Sequence, residues 1–209
     1  MRPHPPSALS IVALVLSACG HVPVSTIWAL RNLDAITLDP ALLRAAVRVP
    51  DTLQPQPDGV KLEIGWWRDG EEDRKHNAKF VLQETTSADD TAPLVFERKA
   101  GMRVYVYRVD PADIPGIRAL QAQAKDEKAK NPGKTHGTFG FGADACRKGQ
   151  LAEGPVLMTT FLRLDSERGY LPVVKDLDLR TAVTTDKSFD ELVPPCEKFA
   201  NRVKSKVDP

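Results

Sequence analysis

The sequence predicts a mainly β fold, an antiparallel β-sandwich of the immunoglobulin-like kind with one inserted helix. Short apolar runs with period-two alternation recur, at Val60 to Trp66, Ala78 to Leu82 and Met102 to Val106, which is the spacing of half-buried strands. Turn residues separate them, in Asp58-Gly59, Asp69-Gly70 and Ala100-Gly101, where Gly and Asp accept the backbone angles that turns need. One stretch, about Gly116 to Lys130, has helical spacing of useful length. Seven or so short strands of this kind suit a sandwich, and an α+β arrangement with the helix packed on one antiparallel sheet is the alternative.

The chain of 209 residues is 42% hydrophobic and 27% charged, a globular balance that excludes wholesale disorder. It opens with a charged Met1-Arg2 and an apolar segment, Ala8 to Leu16, followed by small residues at Ser17 and Ala18. That is the layout of a secretory signal, and the segment is shorter than the roughly 20 apolar residues a spanning helix needs. Residues 1–18 therefore read as a signal peptide, 19–26 as a lipidated cysteine with a tether, and 27–209 as a single globular β-rich domain of about 180 residues.

Leu16-Ser17-Ala18-Cys19 resembles the lipobox of bacterial lipoproteins. The resemblance implies a diacylglycerol thioether on Cys19, cleavage before it, and a further acyl chain on its new amino group, the palmitate-type modification of that class. Two or more chains hold a protein stably at a bilayer where one binds reversibly. Gly20 stands where an aspartate often marks inner-membrane retention in those lipoproteins, so the expected location is the outer membrane, facing the periplasm. Beyond this, the domain is similar only in general build to proteobacterial lipoproteins of unassigned role, and that likeness gives no residue a role.

With Cys19 assigned to lipid, Cys146 and Cys196 remain as an even pair in an oxidising compartment, where a structural disulfide is the expected state. A redox-active pair is the competing reading, but no Cys-x-x-Cys spacing supports it. The chain carries 29 Lys plus Arg against 28 Asp plus Glu, and the signal removes one cation, Arg2. A balanced mature surface favours neither nucleic acid nor another polyanion as partner.

Along the chain, Gly20 to Thr26 reads as tether and Ile27, Trp28, Leu30 and Leu33 as an apolar cluster. Ala45 to Val49 extends as the first strand and Pro50 ends it; Gln54 to Gly59, with two prolines and an Asp-Gly pair, reads as a turn. Val60, Leu62, Ile64 and Trp66 share one strand face, and Ala78, Phe80 and Leu82 give its antiparallel partner. Thr85 to Ala92 is polar and loop-like, and Met102 to Tyr107 alternates again. Asp110-Pro111 opens the helical region, which Asn131-Pro132-Gly133 ends. Phe139 and Phe141 share a face of a further strand whose glycine face, Gly140 and Gly142, is expected to lie close to another backbone. Val156 to Leu164 and Tyr170 to Val183 supply more strands, and Glu197 to Val207 a short basic helix. No fixed-period repeat is visible.

Tests for chemistry name no catalytic residue. Gly137 to Gly142 fits neither the dinucleotide fingerprint nor the phosphate loop, because no Lys-Ser or Lys-Thr opens a helix behind it. His21, His76 and His136 show no metal-ligand spacing, so no metal or cofactor is expected, and no Gly-x-Ser-x-Gly elbow is present. Trp67, on the strand face opposite Trp66, could join Tyr105 and Tyr107 as a surface for an envelope protein or a glycan; the competing reading is that both faces of these strands are covered. The expected function is therefore non-catalytic binding or envelope assembly by a lipid-anchored protein. Its alternative is a metal-dependent envelope hydrolase using His76 or His136.

Overall fold

The computed structural model describes residues 34, 36–71, 73, 76–182 and 186–200. The lipobox, the tether, the cluster at Ile27 to Leu33 and the tail helix beyond Ala200 lie outside them. The described chain is mainly β, with seven antiparallel strands: β1 (Arg44–Pro50), β2 (Leu53–Arg68), β3 (His76–Glu84), β4 (Met102–Val109), β5 (Thr135–Arg147), β6 (Leu157–Arg163) and β7 (Leu171–Asp178). Their order across the sheet is β5-β2-β3-β4-β1-β6-β7.

These strands form one curled sheet where the sequence reading expected two facing ones. The reason is β3, whose residues His76 to Val81 pair with β2 while Leu82 to Glu84 pair with β4. One strand thus joins both halves, and the twist of the sheet brings β2 and β5 round to face β1, β6 and β7. The Tyr105 hydroxyl of β4 donates to the Leu53 carbonyl of β2 across this interior at 3.3 Å.

The turn expected at Gln54 to Gly59 lies inside β2 as a bulge, with the register against β5 shifting between Pro55 and Val60. Prolines are tolerated there because β3 does not pair with this part of β2, so their missing N–H groups break no ladder. Asp58 takes a left-handed φ of 59°, and a Cβ on Gly59 would stand 2.8 Å from the Asp144 carbonyl oxygen. Close approach is therefore found at Gly59, not at the glycine face of β5, where a Cβ on Gly140 or Gly142 would meet nothing within 4 Å.

Two short helical segments follow β3 where a plain loop was expected: α1 (Ala88–Thr91) and a 3-10 turn, Ala92–Glu97. They place Leu94 on Ala46, Val106 and Phe161, a small second core on the outer face of the sheet. Charges fasten this cover. Asp90, 4% exposed, accepts from Arg44 Nε at 2.7 Å, Arg163 Nη2 at 2.5 Å and the Thr85 hydroxyl at 3.1 Å. Burial pushes the Asp90 carboxyl up, but Arg44 and its other donors outweigh that and hold it below the usual carboxylate range. Arg48, on the same face, bonds Glu97, Thr159 and Asp176.

The long helix, α2 (Ile114–Lys130), starts two residues before the expected Gly116, because Pro115 sits in the first turn where no N–H is needed. It buries Ile117 and Ala124, and Ile117 joins the main core with Val60, Leu62 and Ile64 of β2. Beyond β7 come α3 (Leu179–Ala182) and α4 (Phe189–Leu192), the second opened by a Ser188–Glu191 capping box. Cys146 and Cys196 are disulfide-bonded with Cα atoms 4.9 Å apart, and Pro195 bridges to Arg147 beside them. The tail is thereby pinned to the end of β5, as the cysteine count leads one to expect.

Candidate functional site

The sheet curls without filling its interior. Between β2 and β5 on one side and β1, β6 and β7 on the other lies a cavity of about 1110 Å³. Its walls are largely hydrocarbon: Val47 and Leu162 on one side, Phe139 and Phe141 facing them, and Val173 and Phe189 closing the flank. Small side chains leave the room, since Ala45 and Ala143 occupy interior-facing strand positions where larger residues would close the space. Every residue of β5 from Gly137 to Ala145 except Thr138 lines it, and eight steps at about 3.3 Å each make the lined stretch about 26 Å long. The space is elongated.

Its polar side chains include Gln54, Thr160 and Asp144, the last paired with Lys61 at 2.9 Å. Asp34 and Lys128 of α2 line it as an ion pair at 2.7 Å, and the hydrogen bond from Lys128 outweighs burial to hold the Asp34 carboxyl below its ordinary value. Gln56 donates to the Ala145 carbonyl at 2.8 Å. Tyr107 also lines the cavity and is only 6% exposed, yet its hydroxyl has no hydrogen-bond partner among the described residues. Burial, with the Glu84 carboxylate alongside, pushes that phenol well above its ordinary value. It remains a protonated donor.

The surface expected from Trp67, Tyr105 and Tyr107 is not assembled. Glu84 pairs with Tyr107 and Leu62 with Phe80, so both tyrosines share the interior face with Leu62 and Ile64. Trp67 is on the opposite face of β2, half-buried and stacked on His136 at 4.4 Å between ring centroids. The valines of β4 that alternate with the tyrosines face the outer core, where Leu94 and Phe161 cover Val106.

The histidines do not converge either. His76 pairs with Trp66 and stacks on it at 4.0 Å, whereas His136 pairs with Trp67 and bonds Asp69 at 2.7 Å. Consecutive residues of a strand point to opposite faces, so the two imidazoles lie on opposite sides of the sheet. Among the described residues no three His, Cys, Asp or Glu side chains gather as a metal site. The glycine segment 137–142 is strand, with no helix opening behind it.

No family model, curated protein or solved structure matches the chain. Its function has to be read from its own geometry. The cavity is what sequence reasoning missed, and the one signal for it was the placement of alanines on strand faces, which alternation alone does not distinguish from tight packing.

Proposed function

We propose that the chain is a non-catalytic binding protein of the bacterial envelope, held at the periplasmic face of the outer membrane by an acylated Cys19, with the cavity inside the curled sheet as its binding site for an apolar small molecule. One observation carries the binding reading: an elongated, mostly hydrocarbon-walled space of about 1110 Å³ inside a domain of this size. Protein interiors are close-packed, with few voids larger than a water, and small-molecule sites span about 300–1,000 Å³ with apolar walls and a few placed polar groups. The lipobox-like Leu16-Ser17-Ala18-Cys19 supports the anchor, which would place such a site beside a membrane rich in apolar molecules.

The test is saturable binding of the fluorescent probe N-phenyl-1-naphthylamine to the purified soluble domain. Ala143→Trp is the blocking variant, because Ala143 faces the interior opposite Val60 and is itself exposed, so a larger ring enters the cavity without crowding a packed core. We expect saturable binding that weakens at least about tenfold in that variant, equivalent to 1.4 kcal/mol. Equal binding by both proteins, or no saturable binding, refutes the cavity as a site. Separately, Cys19→Ser should move the protein from the membrane to the soluble fraction, and retention in the membrane refutes the anchor.

A further inference from the structure

We infer that Tyr107 is the specificity-determining contact of this cavity and that the occupant is a neutral single-chain fatty-acyl ester; the inference rests on the cavity being a binding site. The shape argues for the chain. A space lined along about 26 Å of one strand with hydrocarbon walls suits an unbranched chain better than a compact ring system.

The acyl carbonyl follows from Tyr107. Its neighbour Tyr105, two residues before it on the same face, already donates its hydroxyl hydrogen bond to the Leu53 carbonyl, and Gln56 is engaged with the Ala145 carbonyl. Thr160 and Gln54 also line the cavity without a side-chain hydrogen bond among the described residues, but both are half-buried; Tyr107 is the buried donor of the wall. A pure hydrocarbon that expels water from that wall strands the donor, and a buried donor without an acceptor is costly. A ligand carbonyl removes the cost by accepting the hydrogen bond.

The neutral ester follows from charge. Glu84 stands opposite Tyr107 in the β3–β4 pair and acts on its phenol electrostatically, so a carboxylate accepting from Tyr107 would sit beside a like charge. The cation of the cavity wall, Lys128, is paired with Asp34. Neither arrangement favours a free fatty acid.

Displacement of N-phenyl-1-naphthylamine by methyl decanoate, tridecane and decanoate tests this on the wild-type domain and on Tyr107→Phe and Tyr105→Phe. Tyr107→Phe should weaken methyl decanoate about five- to tenfold, the net worth of one neutral hydrogen bond, and leave tridecane bound as tightly as in wild type or more tightly, because the alkane no longer strands a donor. Tyr105→Phe should leave the ratio of the two ligands unchanged, and decanoate should bind wild type more weakly than its methyl ester. The retained affinity for tridecane shows that the Tyr107→Phe cavity is intact. An ester affinity untouched by Tyr107→Phe, an equal loss for ester and alkane, or decanoate binding as tightly as the ester overturns the inference while leaving the cavity a site. Failure of every ligand to displace the probe from wild type overturns the cavity reading itself.

Discussion

Replacing Asp90 by asparagine should cost about 3 kcal/mol at pH 7, the low end of what removing one partner of a buried ion pair costs. The carboxylate is 4% exposed and receives two guanidinium groups and a hydroxyl. An amide of the same shape keeps at most part of those bonds and leaves Arg44 and Arg163, each 15% exposed, without their shared anion. The low end applies because both retain other acceptors, the Ala41 and Leu43 carbonyls for Arg44 and the Asp89 carbonyl for Arg163. Urea unfolding followed by tryptophan fluorescence measures the difference. Because the folded-state carboxyl of Asp90 titrates below its unfolded value, the stabilisation is complete above about pH 4 and is lost as pH falls through the lower folded value. The gap between wild type and Asp90→Asn should therefore narrow below about pH 4. Arg48→Met is the control: its anionic partners Glu97 and Asp176 are 40% and 39% exposed and can turn to water, so about 1 kcal/mol is expected. A gap for Asp90→Asn under about 1 kcal/mol, or one that does not narrow in acid, refutes the reasoning.

Opening the disulfide by the double change Cys146→Ala and Cys196→Ala should lower stability by about 4 kcal/mol on the chain-entropy account for a loop of this length, the two cysteines being 50 positions apart; urea midpoints with and without the bridge measure it. Two glycines of paired strands should behave oppositely in the same assay. A Cβ on Gly65 would stand 2.1 Å from Asn77 Oδ1 and 2.5 Å from the His76 carbonyl oxygen, so Gly65→Ala should destabilise by about 1–3 kcal/mol. Gly140→Ala meets open space and should stay within about 0.5 kcal/mol.

Strand alternation at Val60 to Trp66 and the turn at Asp69-Gly70 are local properties, and the sequence made them legible, along with the existence of α2 and its stop at Asn131. The Cys146–Cys196 pair was legible by elimination once Cys19 was given to lipid. What alternation leaves open is which face turns inward. On β4 the tyrosines alternate with valines, and both faces are buried, so the pattern did not show that Tyr105 and Tyr107 point into the main core and Val106 into the outer one. The Gln54 to Gly59 bulge was hidden for a related reason: Pro and Asp-Gly mark a bend without saying whether pairing resumes beyond it.

The sequence by itself determined the local elements, the balanced charge, the even cysteine pair and a lipobox-like start. Only the tertiary structure decided that β3 shares its length between β2 and β4, which turns two expected sheets into one curled sheet. It also decided that Ala45 and Ala143 face a common space and that Tyr107 stands on its wall. The physical reason is range. Alternation and turn chemistry act between residues a few positions apart, whereas a cavity is made by strands distant in sequence that face each other without filling the gap.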